Sequence, residues 1–131
     1  MEALGGKPGV FSARFAGAGA TYEKNVRKLL KVMKGVPRNK RKACFRTAVC
    51  LASPDGLTNF IVIGECRGYI TESPEGNNGF GYDPVFYFPP YRKTFAQMTP
   101  DEKNRVSHRA RAFKKAKKLI TRILLDGRLG G

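Results

Sequence analysis

Residues 43–52 alternate with a period of two: Phe45, Thr47, Val49 and Leu51 fall on one side, Cys44, Arg46, Ala48 and Cys50 on the other. An extended strand presents such a series as two faces. Ser53-Pro54-Asp55-Gly56 follows, a turn sequence in which Pro presets the backbone and Asp can bond back to it. A second strand-like run occupies 57–65, so the pattern predicts a β-hairpin. Residues 67–71 continue that run past a kink at Gly68, and 85–88 form a further short strand ended by Pro89-Pro90. Any fold open to this chain has to accommodate that hairpin.

Helical periodicity flanks it. In 22–34, Val26, Leu29, Leu30 and Met33 recur at i, i+3, i+4 and i+7, one stripe of an amphipathic helix that Gly35 and Pro37 stop. Lys24, Arg27, Lys28 and Lys31 take the opposite face, and no chemistry is assigned to this element. Thr99-Pro100-Asp101-Glu102 reads as a helix start. It has a capping hydroxyl, a proline suited to the first turn, and acids that favour the positive end of the helix dipole. This helix is expected to break at Ser107, resume to about residue 125, bury Phe113, Ala116, Ile120, Ile123 and Leu124, and end at Gly127. The glycine-rich residues 1–15 are expected to form an extended loop. Residues 72–84 combine glycines, prolines and aromatics without a period, the composition of loops that carry sites.

Composition sets outer bounds. A chain of 131 residues suffices for one domain with one modest core. No apolar run approaches the roughly 20 residues of a membrane span. The first residues, with Glu2, Gly5, Gly6 and Gly9, do not read as a signal peptide, so the expected compartment is the cytoplasm. Cys44, Cys50 and Cys66 are too widely spaced for a CxxC pair and odd in number. They are predicted to be reduced, half-buried packing residues. His108 is the single histidine and has no neighbouring thiols or carboxylates with which to build a zinc site. Twenty-five Lys and Arg against ten Asp and Glu give a net charge of +15. That balance favours a polyanionic partner, either a nucleic acid or a nucleoside triphosphate. The excess concentrates in Arg38-Asn39-Lys40-Arg41-Lys42 and in 105–118, both of which also read as solvated basic faces.

Three segments carry more specific information. Glu2-Ala3-Leu4-Gly5-Gly6-Lys7-Pro8-Gly9-Val10-Phe11-Ser12-Ala13-Arg14 is rich in glycine. Gly79-Phe80-Gly81-Tyr82-Asp83-Pro84-Val85-Phe86 follows, then Glu102-Lys103-Asn104 with Ser107-His108-Arg109 behind it. In order and spacing these resemble the inosine/xanthosine triphosphate pyrophosphatase family, and the resemblance covers essentially the whole chain. It implies an α/β fold, a mixed elongated sheet with flanking helices and a central cleft between two lobes. Residues 1–131 would be a single domain, the C-terminal two-thirds of that fold. It also implies Mg²⁺-dependent hydrolysis of the α–β phosphate bond of a purine nucleoside triphosphate, giving a monophosphate and pyrophosphate. The implied task is to cleanse the nucleotide pool of deaminated purines, and the implied assembly is a homodimer.

The residue chemistry is consistent with base recognition. Phe80, flanked by glycines that let a ring approach the backbone, can stack on a purine; taken alone it reads as a core anchor. Arg109 and His108 are donors, and a guanidinium rewards the 6-oxo group of inosine or xanthosine while opposing the amino group of adenosine. Without its motif, Arg109 reads as a solvated helix residue. By matching position the resemblance adds Lys103 as a nucleotide contact, and Gly81, Tyr82, Asp83 and Ser107 as further parts of the pocket. Two departures from the family pattern are Ala110, where a glycine usually follows Ser-His-Arg, and Gln97, where an acid usually follows Thr-Phe-Ala.

Two family motifs are not in this sequence: a Thr/Ser-x-Asn-x-x-Lys loop that holds the triphosphate and an Asp-Asp-Ser-Gly that supplies the catalytic carboxylate. The carboxylate is therefore expected upstream of Met1, no catalytic or metal-ligating residue is assigned to this chain, and its activity is expected to be impaired. The natural start is likewise expected upstream, and the chain alone is expected to expose an apolar face and an unpaired strand edge. The alternative readings are a basic nucleic-acid-binding protein using its charged helix, or a binding-only remnant. Steep salt dependence would mark the former.

Overall fold

A computed structural model describes residues 1–125 and has a mixed α/β fold. The hairpin is present as β1 (Lys42–Ala52) and β2 (Asn59–Ile70). Ser53 N–H donates to Thr58 O across 2.9 Å, and the Asp55 carboxylate accepts from Leu57 N–H at 3.0 Å. β3 (Phe86–Phe88) and β4 (Lys93–Thr94) extend the sheet in the order β1-β2-β3-β4, antiparallel at Tyr69↔Tyr87 and Tyr87↔Thr94. Phe45, Thr47, Val49 and Leu51 are half-buried while Cys44, Arg46, Ala48 and Cys50 are exposed, as the alternation requires. The same alternation corrects the reading of the cysteines: only Cys66 is buried, because Cys44 and Cys50 lie on the outward face of β1.

The chain divides into two compact units. One comprises Met1–Cys44 and Arg67–Pro100, the other Phe45–Cys66 and the stretch from Asp101 onward. The core of the first unit contains Leu29, Met33, Val85, Phe86, Phe95 and Met98, all nearly inaccessible, with the rings of Phe86 and Phe95 centred 4.8 Å apart. α1 (Tyr22–Val32) begins at Thr21, whose side chain accepts from Lys24 N–H, and buries Val26, Leu29 and the capping Met33. Residues 1–15 contain 3-10 turns at Glu2–Leu4 and Gly9–Arg14 instead of the expected extended loop. Asn25 supplies part of the reason. It is buried in α1, accepts from Ala16 N–H at 2.8 Å and donates to Ala13 O at 2.9 Å, tying the segment to the helix.

Arg41 stands in a run of cations that reads as a solvated face, yet it is only 3% exposed. Its guanidinium donates to the carbonyl oxygens of Ile70, Met33, Val36 and Thr71 over 2.7–3.2 Å. Its neighbours Arg38, Lys40 and Lys42 are exposed.

In the second unit α2 (Pro100–Val106) and α3 (His108–Leu125) meet at Ser107, where the break was expected. The buried line of α3 differs from expectation. Ala112, Ala116 and Ile123 are buried, whereas Phe113, Ile120 and Leu124 are exposed. Gly64 on β2 explains the shift. A methyl group there would collide with the His108 carbonyl oxygen and the backbone of Ala112, so the helix backbone lies directly on the strand. Small side chains face so close a contact, and large ones turn away. Gly127, expected to end this helix, lies outside the described residues.

Candidate functional site

Loop 72–84 of the first unit has no regular structure of its own until Asp83, and its shape comes from bonds to residues 94–98. Glu75 N–H donates to Pro84 O and Asn78 N–H to Ala96 O, at 2.8 and 2.9 Å. Thr94 Oγ1, fully buried, donates to Glu75 O at 2.7 Å, and Asn78 Nδ2 donates to Met98 O at 3.2 Å. Gly76 has φ +93°, and a Cβ there would come within 2.5 Å of the Ala96 carbonyl carbon, so a side chain is excluded both by conformation and by space. Gln97 has a clear part in this. Its Oε1 accepts from Thr94 N–H at 2.8 Å and completes a capping box on the short 3-10 turn Phe95–Gln97. The Thr-x-x-Gln spacing of Thr94 and Gln97 is a signature that was available in the sequence.

The tip of the loop presents Phe80. The Asp83 carboxylate, 4% exposed, accepts from Phe80 N–H at 3.1 Å, and Asp83 N–H returns a bond to Phe80 O at 3.2 Å. These bonds hold the turn while Phe80 remains 53% exposed. The Tyr22 ring, exposed to a similar degree, lies 6.2 Å from it at 40°. Nothing would touch a Cβ at Gly81, where φ is +60°. Tyr82 is turned the other way, and its hydroxyl donates to Ser12 O at 2.6 Å, fastening the loop to the N-terminal turns.

Burial pushes the Tyr82 phenol up to about 12. The unfolded chain therefore releases this proton first, and stability contributed by Tyr82 is intact below pH 10.0 and lost as pH rises towards 12. An absorbance titration of the folded protein is expected to show a phenolic step near pH 12 that Tyr82→Phe removes. Tyrosines that all ionise together below it would refute the assignment.

In the second unit Ser107 joins the two helices. Its N–H donates to Lys103 O at 2.8 Å, closing α2, while its Oγ accepts from Ala110 N–H at 3.1 Å, capping α3. Ala110 is thus an ordinary first-turn residue, and alanine in place of the family's glycine suits a helix. His108 is half-buried, with its ring stacked on Phe45 at 4.8 Å and 24°. Arg109 is exposed and Lys103 half-buried. Phe80, Gly81, Tyr82 and Asp83 therefore belong to the first unit, and Lys103, Ser107, His108 and Arg109 to the second. Sequence reasoning missed two structural residues, Gly64, on which the first turn of α3 lies, and Arg41, which bonds the backbone just before loop 72–84. Neither stands in a motif, and the long-range contact is the signal in each case.

Among the described residues no group of three His, Cys, Asp or Glu side chains could by itself hold a metal ion. Also among them, no helix is long and apolar enough to cross a membrane.

Comparison with known proteins agrees with the motifs. A family model described as the Ham1 family matches residues 1–119. The dITP/XTP pyrophosphatase of Thermoanaerobacter pseudethanolicus is 49% identical over 124 residues, covering 95% of this chain and 62% of that protein. The dITP/XTP pyrophosphatase of Geobacillus kaustophilus is 50% identical over 115 residues, covering 88% and 56% respectively. A solved HAM1 protein from Coxiella burnetii superposes with a TM-score of 0.84 at 36% identity, covering 92% of this chain and 61% of that one. The chain thus spans about three-fifths of the length of the curated relatives it matches.

Proposed function

The chain belongs to the Ham1 family, and on that premise we propose that it supplies the base-recognising part of a pyrophosphatase acting on inosine and xanthosine nucleoside triphosphates, ribo- or deoxy-. The reaction hydrolyses the α–β phosphate bond. Water adds at the α-phosphorus, pyrophosphate leaves, and the monophosphate remains. The observation that carries the reading is Phe80, more than half exposed on a loop that bonds at Glu75, Asn78 and Asp83 tie down. A rigid, accessible ring is what a purine stacks on, a contact worth about 1–3 kcal/mol. Asp83 and Tyr82 hold that platform, Gly81 leaves space beside it, and Arg109, His108 and Lys103 supply donors. Ser107 fixes where they start by capping α3.

In this reading the chain binds and selects, and none of its acids is given the role of catalytic carboxylate. Mg²⁺ is proposed to accompany the triphosphate, neutralising its charge. A homodimer and a cytoplasmic setting are further parts of the proposal. The +15 charge suits a triphosphate as it does a nucleic acid, but the family membership and the exposed ring favour the nucleotide.

Competition binding of inosine and adenosine triphosphates to this chain tests the proposal. Phe80→Ala is expected to weaken both by about 1–3 kcal/mol. Arg109→Ala is expected to narrow the preference for inosine by about 1–3 kcal/mol, the scale of a charged hydrogen bond. An unchanged preference ratio would make Arg109 a surface residue. Affinity that ignores the base and collapses with salt would favour the nucleic-acid reading.

A further inference from the structure

Tyr22, Val26, Leu29 and Met33 fall at i, i+4, i+7 and i+11, one face of α1. Exposure along that face runs from 0% at Met33 and 1% at Leu29 to 8% at Val26 and 59% at Tyr22. The core therefore ends at Val26, and Tyr22 projects beyond it. A side chain in the first turn leans towards the helix N-terminus. There the Tyr22 ring meets that of Phe80, with centroids 6.2 Å apart and planes at 40°. The separation lies within the roughly 4.5–7 Å over which aromatic rings pair favourably. Burial contributes little at a residue so exposed, so the ring contact is the chief interaction of this side chain.

Both rings belong to one compact unit, and a circuit of bonds joins their supports. Thr21 caps α1 by accepting from Lys24 N–H at 3.2 Å, which fixes the turn that carries Tyr22. Asn25, on the next turn, bonds to Ala13 O and Ala16 N–H in the segment before the helix. Tyr82, two residues after Phe80, donates to Ser12 O at 2.6 Å, beside Ala13. The Asp83 carboxylate closes the circuit by accepting from Phe80 N–H. Backbone is thus held on both sides of the ring pair. A phenylalanine on a fixed backbone still has three staggered χ1 wells, and a neighbouring ring selects among them.

We propose that Tyr22 is a positioning residue for purine binding: it braces the Phe80 ring in the orientation on which a base stacks, and does not itself touch the base. The proposal rests on the base-recognition reading and adds to it a residue from outside the three motif segments. With the ring braced, its ordering precedes binding instead of accompanying it, a gain of about three- to tenfold in affinity. Stacking tolerates any base. The brace therefore raises affinity for inosine and adenosine triphosphates alike, whereas Arg109 sets the ratio between them.

The experiment measures binding of both nucleotides to the full chain, to Tyr22→Ala, Tyr22→Phe and Phe80→Ala, and to the double variant. Tyr22→Ala should weaken both nucleotides by about three- to tenfold and leave their ratio unchanged. Tyr22→Phe should bind as the parent does, because the ring and not the hydroxyl forms the brace. In the Phe80→Ala background Tyr22→Ala should add nothing. Without nucleotide, the Phe80 ring resonances, identified by their loss in Phe80→Ala, should shift in Tyr22→Ala and hold in Tyr22→Phe. The urea midpoint of Tyr22→Ala should stay close to that of the parent, as for other exposed positions. A loss of affinity that Tyr22→Phe does not restore, or that persists in the Phe80→Ala background, would put the phenol on the nucleotide and overturn the proposal. So would a Tyr22→Ala chain that binds normally while Phe80→Ala binds weakly, or one whose Phe80 resonances do not move. If Phe80→Ala leaves binding unchanged, the base-recognition reading itself fails and takes the brace with it, an outcome distinct from these.

Discussion

Arg41→Ala is expected to destabilise the protein by roughly 3–5 kcal/mol, enough to consume much of the stability of a small protein. The guanidinium donates to Ile70 O at 2.8 Å, to Met33 O at 2.7 Å, to Val36 O at 3.2 Å and to Thr71 O at 2.8 Å. It thereby joins the end of α1, the loop that follows it and the end of β2. Each charged hydrogen bond is worth about 1.5–3 kcal/mol, although bonds from one group do not add. Removing the group deprives the buried carbonyls of Ile70 and Met33 of this donor. Arg41→Lys keeps the charge but offers a single point donor in place of a planar fork, so it should recover less than half of the loss. Arg38 is the internal control. It is exposed, its guanidinium carbon lies 5.6 Å from the centre of the Tyr87 ring, and its removal should matter by less than about 1 kcal/mol. Urea unfolding of the three variants measures all of this. If Arg41→Ala lay within about 1 kcal/mol of the parent, the hub described above would not exist.

Gly64→Ala is the second large effect. Adding one methyl group to a packed interior usually costs about 1–3 kcal/mol, and this case should lie at the top of that range or beyond it. The atoms in the way are the His108 carbonyl and the backbone of Ala112, and backbone cannot swing aside as the end of a lysine can. Relief requires α3 to move off the strand, and its first turn carries His108 and Arg109. The variant should therefore lose both stability and preference for inosine over adenosine. That joint loss separates it from a surface substitution, which would change neither by more than about 0.5 kcal/mol. A stable Gly64→Ala protein with unaltered base preference would mean that the helix does not lie on the strand as described.

These two positions show how legibility was divided. The hairpin was readable because its cause is local: strict alternation has only one extended solution, and Ser53-Pro54-Asp55-Gly56 reverses the chain within its own bonds. The stripe of α1 and the break at Ser107 were readable for the same reason, since periodicity and capping act within a few residues. The motif segments around Phe80 and His108 were readable as a resemblance. What the sequence could not tell was which of several similar residues would meet a distant partner. Arg38, Lys40, Arg41 and Lys42 are alike as text, and only the carbonyls of Met33, Val36, Ile70 and Thr71 single out Arg41. The burial of α3 was misread because large apolar residues normally face a core, whereas Gly64 brings the helix so near that Ala112 and Ala116 face it instead. Local pattern thus determined the elements and their order. The close approach of backbone to backbone, and the pairing of buried polar groups, are decided only when chain segments far apart in sequence come together, and those contacts set where the site residues stand.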